Sequence, residues 1–373
     1  MIQDYFFCPN PSCSAHRLDP PRTDWYVFYG FHMTKAFGRV QRYRCRICGK
    51  TFSDQTFLLN YWLKKPTDFK ALGREINSSA SSNFIGRHHR FSSDSMRIRH
   101  DRLARNALFL QSMFTDGISI DEPVVADGLE SFVQSQFFPI NLNILIGKQS
   151  QFVYFFNESH SRRKGAMTET QRSMLDEVYE HKSFRGSKIS KMFRELIEYI
   201  GARSESLRVV LHTDEHPIYE SVIDRWNRRT KPRVRIDHRQ TSSQIPRTTQ
   251  NNLFAVNYFD RLIRKDVPNH RRETICFARN DRNLLARFAY YVVTHNFYKP
   301  FRISSKAKQM AVTHAEKAKR STTHIEDWKS KLHTVRFFRS FVKLPRYFED
   351  VWFKRTPTPL SESADPVPRF AYQ

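Results

Sequence analysis

The stretch LRVVLHTDEHPIYESVIDRWN, Leu207 to Asn227, places an apolar β-type run, an acidic residue and a helical pattern in immediate succession. Consecutive β-branched and aliphatic residues before His212 predict a buried strand. Pro217 predicts the first turn of a helix, because its fixed φ suits that position. Asp214 is therefore predicted to lie where a strand passes into a helix.

Further elements are predicted on both sides of this stretch. Three β-type runs precede it, two helical stretches follow them, and a fifth strand and a long helix come after it. In chain order, and including Leu207 to Asn227, these elements occupy residues 119–133, 140–147, 151–160, 168–184, 189–200, 207–227, 233–238 and 250–265. The order βββαβαβα is that of the RNase H-like fold, which predicts a mixed α/β sheet.

Two acidic residues end apolar strands of this predicted sheet. Asp127 ends the run VVAD and Asp214 ends VVLHTD. Neighbouring strands can hold both carboxylates at one edge, where two like charges are tolerated only with a cation between them. We therefore predict a site for two Mg²⁺ (or Mn²⁺) ions, with Asp260 on the last helix as the third acid. A single Asp after a strand is more often a turn residue or helix cap, and neighbouring acids compete for the role: Asp121, Glu130 and Glu215.

Four cysteines near the start of the sequence form two close pairs. CPNPSC contains Cys8 and Cys13, and RYRCRICGKTFSD, from Arg42 to Asp54, contains Cys45 and Cys48. Two such pairs separated by β-type segments predict one structural Zn²⁺ in a zinc ribbon over residues 1–60. His16 is an alternative to Cys13 as a ligand. The remaining cysteine, Cys276, is predicted to be a packed core thiol.

Residues 61–112 read as three short helices, of which the third is basic. Its cap-forming Ser and Asp residues precede RIRHDRLAR. We predict a helix-turn-helix whose third helix contacts DNA through four arginines: Arg97, Arg99, Arg102 and Arg105. The alternative is a basic, solvated helix that links two domains.

The composition favours a polyanionic partner. Lys and Arg total 62 against 37 Asp and Glu, a formal net charge of +25. The sequence has no apolar run near the ~18 residues of a spanning helix, and its first residues lack a basic segment followed by an apolar one. We therefore expect double-stranded DNA as the partner, no membrane association, and a cytoplasmic, nucleoid-associated location.

These features together resemble the DDE transposases of bacterial insertion sequences. The resemblance rests on the ribbon ending RYRCRICGKTFS, the helix-turn-helix, Asp127 and Asp214, and on RRETICFARN, residues 271–280, which is similar to RKTICFS in the small zinc-ribbon transposases. Those relatives carry Glu-x-x-Asn on the last catalytic helix, followed four residues later by Arg. Here the matching positions are Asn257, Asp260 and Arg264, so that acid and amide have exchanged places.

The resemblance implies binding of terminal inverted repeats and target DNA, with metal-dependent strand cleavage and 3′-OH strand transfer by a homo-oligomer. Asp127 and Asp214 would hold the ions, with Asp260, or else Asn257, as the third ligand. Three basic residues on the same helix would hold phosphates, or else form a solvated basic face: Arg261, Arg264 and Lys265. Two other functions stay open, a catalytically inactive DNA-binding regulator and a structure-specific nuclease of the same fold.

The sequence therefore predicts a multi-domain α/β protein. The catalytic domain is assigned to residues 113–303. Basic residues interleaved with aromatics predict a helical, DNA-contacting segment over residues 304–355, although an apolar helix face with lysines outside is an equal alternative. Residues 356–373, rich in Pro and Ser, are predicted to be disordered.

Overall fold

A computed structural model describes residues 6–18, 22–78, 80–116, 118–163, 165–181, 184–229, 233–271, 274, 276–302, 312–318, 322–359 and 367–373. Its strands are β1 Tyr26–Thr34, β2 Gly38–Cys45, β3 Thr51–Ser53, β4 Val124–Val133, β5 Ser135–Gly147, β6 Val153–His160, β7 Arg208–Thr213 and β8 Arg235–Gln240. Its helices are α1 Phe69–Asn77, α2 Ser82–His88, α3 Ser93–Asp116, α4 Glu169–Asp176, α5 Ile189–Arg203, α6 Pro217–Asn227, α7 Phe254–Asp266, α8 Asp281–Phe297, α9 His314–Lys317, α10 Thr322–Lys331 and α11 Arg346–Trp352.

The larger sheet has five strands in the order β6-β5-β4-β7-β8. The first three are antiparallel neighbours, and β7 runs parallel to both β4 and β8. The sheet is therefore mixed, as the sequence predicts. Residues 124–126 of β4 and 142–147 of β5 are buried without alternation, because helices cover both faces of the central strands.

Helices from separate parts of the chain pack on this sheet. α5 contacts β5 and β6, and α7 contacts β4 and β5. In α7 the apolar residues Ala255, Val256, Phe259 and Ile263 recur at spacings of three and four and are buried. This face of α7 fixes the helix on the sheet and determines where its polar residues lie.

The smaller sheet carries the cysteines. β1, β2 and β3 pair antiparallel in that order. Trp25, Tyr43 and Phe52 form its apolar core together with three of the cysteines. Phe7 of this unit also contacts Phe338 and Phe341, so the smaller sheet packs against the C-terminal region.

α3 is a central helix, which the sequence does not predict. It packs against α8, α2 and α11, and most of its residues are buried. The neighbouring α1 also approaches α8 closely, because a Cβ at Gly73 would lie within 3 Å of the Tyr290 ring. Since α3 is enclosed, it does not offer the exposed face that a recognition helix needs.

The last residues of the sequence are packed, which corrects the predicted disorder for residues 356–359 and 367–373. The Trp352 indole N–H donates to the Ala371 carbonyl at 2.7 Å, and the Arg336 guanidinium donates to the Phe370 carbonyl at 2.8 Å. Thr356 and Ala371 are buried. Residues 360–366 lie outside the described residues.

The aromatic residues of the C-terminal segment also face inward. Phe337, Phe348 and Trp352 belong to the main core, where Phe337 stacks on Phe109 of α3 at a centroid distance of 4.6 Å. This packing favours the alternative of an apolar helix face over base stacking for these rings. No helix in the described part of the chain has both the length and the apolar composition that crossing a membrane requires.

Candidate active site and metal centre

The structure brings the four cysteines of the ribbon together. One Sγ atom from each of Cys8, Cys13, Cys45 and Cys48 lies within 4.8 Å of the others. The Sγ atoms of Cys8 and Cys48 are 3.5 Å apart, and those of Cys13 and Cys45 are 3.8 Å apart. Four sulfurs at these spacings can surround one Zn²⁺ at about 2.3 Å from each.

The electrostatics of this group also suit a cation. Burial raises the pKa of the Cys8 thiol. Cys48 is also subject to burial, but hydrogen bonds, chiefly from the Lys50 backbone N–H, lower its pKa to about 7. Four thiolates in so small a space require a cation to balance their charge.

His16 is not part of the sulfur group. Its Nδ1 lies 2.6 Å from the Cys8 carbonyl oxygen and its Nε2 lies 2.7 Å from Ser340 Oγ. Both ring nitrogens are therefore engaged, which favours Cys13 over His16 as a ligand. Cys276 is exposed, so the prediction of a buried core thiol is wrong. Residues around it hydrogen-bond to its backbone, leaving the side chain at the surface.

The parallel pairing of β4 with β7 places Asp127 beside Asp214. Val124 is aligned with Leu211 and Val125 with His212, so the same register continued by two residues aligns Asp127 with Asp214. The position of Asp214 is fixed by the turn into α6, since one of its carboxylate oxygens accepts from the His216 backbone N–H at 3.1 Å. The two acids are therefore neighbours, close enough for the charge of Asp214 to act on Asp127. Asp214 directly follows the last residue of β7, as predicted, but Asp127 lies inside β4, which continues to Val133, so the prediction that Asp127 ends its strand is wrong.

Asp127 lies in an environment that opposes its charge. Burial and the nearby charge of Asp214 raise its pKa to about 6, although the Gly128 N–H donates to it at 2.7 Å. Arg247 and Arg264 act in the opposite direction. The net effect is that the charged form of Asp127 is disfavoured, and a bound cation would favour that charged form.

Asp260 lies on the flank of the α7 face that packs on the sheet. Burial and the charge of Asp127 raise its pKa to about 8, while Arg264 and Arg247 lower it. Its Oδ1 is buried and has no hydrogen-bond partner among the described residues. Such an unsatisfied oxygen is costly unless a ligand, ion or water meets it.

The three acids are neighbours without forming a single tight cluster. Within the part of the chain that the structure describes, the oxygens of Asp127, Asp214 and Asp260 do not form a group within 4.8 Å of one another. Asp127 interacts with both of the others.

The structure also places the competing residues. Asn257 lies one turn before Asp260 and is partly buried, but it is Asp260 whose charge couples to Asp127. Asp121 and Glu215 are exposed. Glu130 lies three residues after Asp127 in the same strand, so its side chain points to the other face of the sheet.

The basic residues of α7 divide between two sides of the helix. Arg264 is partly buried and acts on both Asp127 and Asp260, whereas Arg261 and Lys265 are exposed. Arg264 therefore belongs to the acidic site, and the other two lie on the solvated face that the sequence left as an alternative.

Two residues near the acids are absent from the sequence predictions. Tyr219 of α6 is buried, stacks on Phe193 at a centroid distance of 4.2 Å, and has a pKa raised by burial and by Asp127 and Asp214. In the sequence, its position in the first helical turn after Asp214 could have indicated that it lies near the acids. Arg247 lies in the exposed segment between β8 and α7, where no local pattern distinguishes it.

The predicted DNA contacts of α3 do not agree with the structure for three of its four arginines. Arg99, Arg102 and Arg105 are 3%, 5% and 6% exposed. They donate to Thr67 Oγ1 at 2.7 Å, the Leu59 carbonyl at 2.7 Å and the Trp352 carbonyl at 3.2 Å, respectively. Arg97 is partly exposed and lies 3.5 Å from Asp94. The three buried guanidinium groups are structural, because they are enclosed and donate to a hydroxyl and to backbone carbonyls inside the protein.

A second acidic group lies inside the protein, between β6 and α8. Atoms of Glu158, His160 and Asp281 come within 4.8 Å of one another, and both acids are fully buried. His160 Nε2 lies 3.0 Å from Asp281 Oδ1, and the Ser187 N–H donates to His160 Nδ1 at 3.1 Å. The neutral ring therefore carries its hydrogen on Nε2 and donates to Asp281, an arrangement that does not leave Nε2 available as a metal ligand.

Comparison of the sequence with protein-family models gives no match, and comparison with curated proteins gives none either. Any assignment of function therefore depends on the geometry and chemistry of the site.

Proposed function

We propose that this protein is a DDE-type transposase, which cleaves DNA strands in a metal-dependent reaction and transfers the 3′-OH end to a target. The observation that carries the proposal is the proximity of Asp127, in β4, to Asp214, which directly follows the parallel strand β7, with Asp260 contributed by a helix packed on the same sheet. The strand order β6-β5-β4-β7-β8 supports the RNase H-like assignment.

The acidic site fits Mg²⁺ or Mn²⁺. Its donors are carboxylate oxygens, which such hard cations prefer. Asp260 Oδ1 is buried without a partner among the described residues, and the pKa values of Asp127 and Asp260 are both raised. Asp127, Asp214 and Asp260 would hold the ions. When bound, two ions supply charge stabilisation to the attacking and leaving oxygens of a phosphodiester.

The other residues of the site have roles that follow from their charge and position. Arg264 and Arg247 bring positive charge next to the carboxylates, where they would bind the scissile phosphate or a neighbouring one. Tyr219 is buried close enough to Asp127 and Asp214 for the charges of both to raise its pKa, so it forms part of the surroundings of the site. The net charge of +25 supplies non-specific attraction to the DNA backbone.

We further propose that the group of Cys8, Cys13, Cys45 and Cys48 binds a single structural Zn²⁺ and that the acidic site binds two catalytic ions. The protein would act as a homo-oligomer on the paired DNA ends. The sulfur spacings support the zinc assignment. Terminal inverted repeats and a target duplex are the proposed DNA partners, in the cytoplasm at the nucleoid.

A cleavage assay tests the proposal. The substrate is a labelled duplex that carries the DNA flanking the coding sequence, with Mg²⁺, Mn²⁺ or Ca²⁺. We expect the wild type to cleave the duplex with Mg²⁺ or Mn²⁺. The cleavage rate should fall at least ~10²-fold in Asp127→Asn, Asp214→Asn and Asp260→Asn, and should be retained in Asn257→Ala. Asp121→Asn, which changes an exposed acid, is the matched control.

The outcomes separate the three candidate functions. Cleavage followed by joining of a 3′-OH end to a second duplex supports the transposase. Cleavage without joining supports the nuclease. Binding of the flanking DNA by the wild type and all variants, without cleavage in any metal, would contradict an enzymatic role and leave the regulator.

A further inference from the structure

The hairpin of β1 and β2, Tyr26 to Cys45, exposes a run of large apolar side chains. Phe28 is 75% exposed, Phe31 51%, Met33 69% and Tyr29 44%. Single exposed apolar residues are common at protein surfaces, but several on one short hairpin indicate an interaction site.

The strand register arranges these side chains on two faces. Phe28, Phe31 and Met33 are aligned with Tyr43, Gln41 and Arg39, so they share one face, and Arg39 lies over the Phe31 ring at 4.0 Å. A bulge at Tyr29 and Gly30, where φ is +67°, interrupts the alternation. The Tyr29 ring lies instead beside Arg42, at 5.0 Å from its guanidinium.

The charge of the hairpin selects the kind of partner. Residues 25–53 contain no Asp or Glu and six basic residues: Lys35, Arg39, Arg42, Arg44, Arg46 and Lys50. A second copy of the chain on this surface would bring like charges together, which opposes a homodimer here. A polyanion with flat apolar groups matches both the arginines and the exposed rings.

We propose that this hairpin binds single-stranded DNA, with unpaired bases stacking on Phe28 and Phe31 and a phosphate neutralised by Arg39 on the same face. Bases within a duplex are already stacked on each other and cannot cover these rings, so the hairpin favours unpaired over paired DNA. The binding does not involve the carboxylates of the acidic site. It rests on the proposed function only for the origin of the unpaired strand, which is the opened end of the DNA element.

Fluorescence anisotropy tests this proposal with the full-length, zinc-loaded protein. The probes are a labelled oligothymidylate of about 15 nucleotides and a blunt duplex of the same length. We compare the wild type with Phe28→Ala/Phe31→Ala, Phe28→Leu/Phe31→Leu and the matched control Phe84→Ala, which removes a phenyl ring that is 56% exposed on α2. Zinc content and thermal unfolding establish that each variant is folded.

We expect the Ala and Leu double variants to bind the single strand about 10-fold or more weakly, with duplex binding changed less than twofold and Phe84→Ala unchanged. Ultraviolet crosslinking of the oligothymidylate to the peptide containing Phe28 would support the same contact. Unchanged single-strand affinity in both double variants, or an equal loss for single strand and duplex, would overturn it. So would a wild-type dimer that becomes monomeric in these variants.

The proposal and the proposed function fail in different ways. Single-strand binding that depends on the two rings, in a protein that never cleaves DNA, would retain this inference and remove the enzyme. Metal-dependent cleavage without ring-dependent binding of single strands would retain the proposed enzyme and remove this inference.

Discussion

Asp127 in β4 and Asp260 in α7 lie close enough for the charge of the first to add to burial in raising the pKa of the second to about 8. Because Asp214 also lies next to Asp127, the site contains three acidic side chains, and the positive charges of Arg264 and Arg247 do not fully offset their mutual repulsion. Without a cation, Asp260 is therefore largely protonated at neutral pH. Adding a cation and removing the acid are two ways to relieve this repulsion, and each gives a measurable effect.

Asp260→Asn should stabilise the protein when no Mg²⁺ is present. The folded pKa of Asp260, about 8, is above its unfolded value of 3.8, so the folded state binds more protons. Its contribution to stability is complete below the unfolded pKa and is lost as pH rises towards 8. At pH 8 we expect the unfolding free energy of Asp260→Asn to exceed that of the wild type by ~1–3 kcal/mol, and at pH 4 to be nearly equal.

Urea unfolding at the two pH values measures this difference. Asp121→Asn, at an exposed position, should shift neither value by more than ~0.5 kcal/mol. A wild type more stable than Asp260→Asn at pH 8 would show that Arg264 and Arg247 already compensate the charge.

Mg²⁺ should stabilise the wild type by filling the site. A ligand at a hundred times its dissociation constant adds about 2.7 kcal/mol to the unfolding free energy. Binding should also release protons, because the pKa values of Asp127 and Asp260, about 6 and about 8, would both fall. Affinity should therefore increase from pH 6 to pH 8.

Calorimetric titration in two buffers of different ionisation enthalpy counts the released protons. Asp127→Asn should abolish both the stabilisation and the proton release, whereas Asn257→Ala should retain them. Equal stabilisation of the wild type and Asp127→Asn by Mg²⁺ would place the ion elsewhere.

Cys45→Ser should remove the metal from the ribbon. Cys45 is buried in the sulfur group, so its loss leaves three ligands and an unfilled position. We expect zinc content to fall from about one ion per chain towards zero, with an earlier unfolding transition for β1–β3 and a later one for the rest. Cys276→Ser, at an exposed cysteine outside the group, should keep the metal. Full zinc content in Cys45→Ser would argue that another residue completes the site.

The sheet was predictable because apolar runs, turn residues and their order are local properties of the sequence. The proximity of Asp127 and Asp214 follows from the same logic, since parallel neighbours bring equivalent positions together, although Asp127 lies inside β4 and not at its end as predicted. The sulfur group was predictable because two close cysteine pairs carry their own geometry. In all three cases the spacing of residues along the sequence was enough to predict which parts of the chain lie together.

The arginines of α3 could not be placed in this way. An exposed and a buried basic helix have similar composition, and what buries Arg102 and Arg105 is Leu59, Trp352 and other distant parts of the chain. The packed end of the sequence has the same origin, because Ala371 is ordered by a hydrogen bond from Trp352. Contacts between such distant residues leave no periodic signal in one sequence.

Arg102→Met should test the structural role of the α3 arginines. The substitution keeps most of the side-chain volume but leaves the Leu59 carbonyl without its 2.7 Å hydrogen bond. We expect the unfolding free energy to fall by ~1–3 kcal/mol. DNA affinity measured well below the melting temperature should change less than twofold. Arg261→Gln, at an exposed position on α7, is the control for the loss of one positive charge and should leave the stability unchanged. A large loss of affinity in folded Arg102→Met would restore α3 as a DNA-contacting helix.

Glu158→Gln should stabilise the protein at neutral and alkaline pH. Burial, and then the charge of Asp281, raise the pKa of Glu158 well above its usual value, and neither carboxyl oxygen has a hydrogen-bond partner among the residues described. The folded state therefore holds a proton that the unfolded state releases above its ordinary pKa, and stability decreases as pH rises from there. Gln keeps the shape of the protonated acid without this dependence, so we expect a gain of ~1 kcal/mol or more at pH 8 and little change at pH 4.

Urea unfolding at both pH values, with metal content measured in parallel, distinguishes this account from a buried cation at Glu158, His160 and Asp281. Glu158→Gln should retain the metal content of the wild type, because the Ser187 N–H on His160 Nδ1 directs the other ring nitrogen to Asp281. Glu195→Gln, which neutralises a partly buried acid on α5, is the control for a general effect of charge. A Glu158→Gln protein that is less stable at pH 8 and holds one ion fewer per chain would show that a bound metal, and not a proton on Glu158, balances this group.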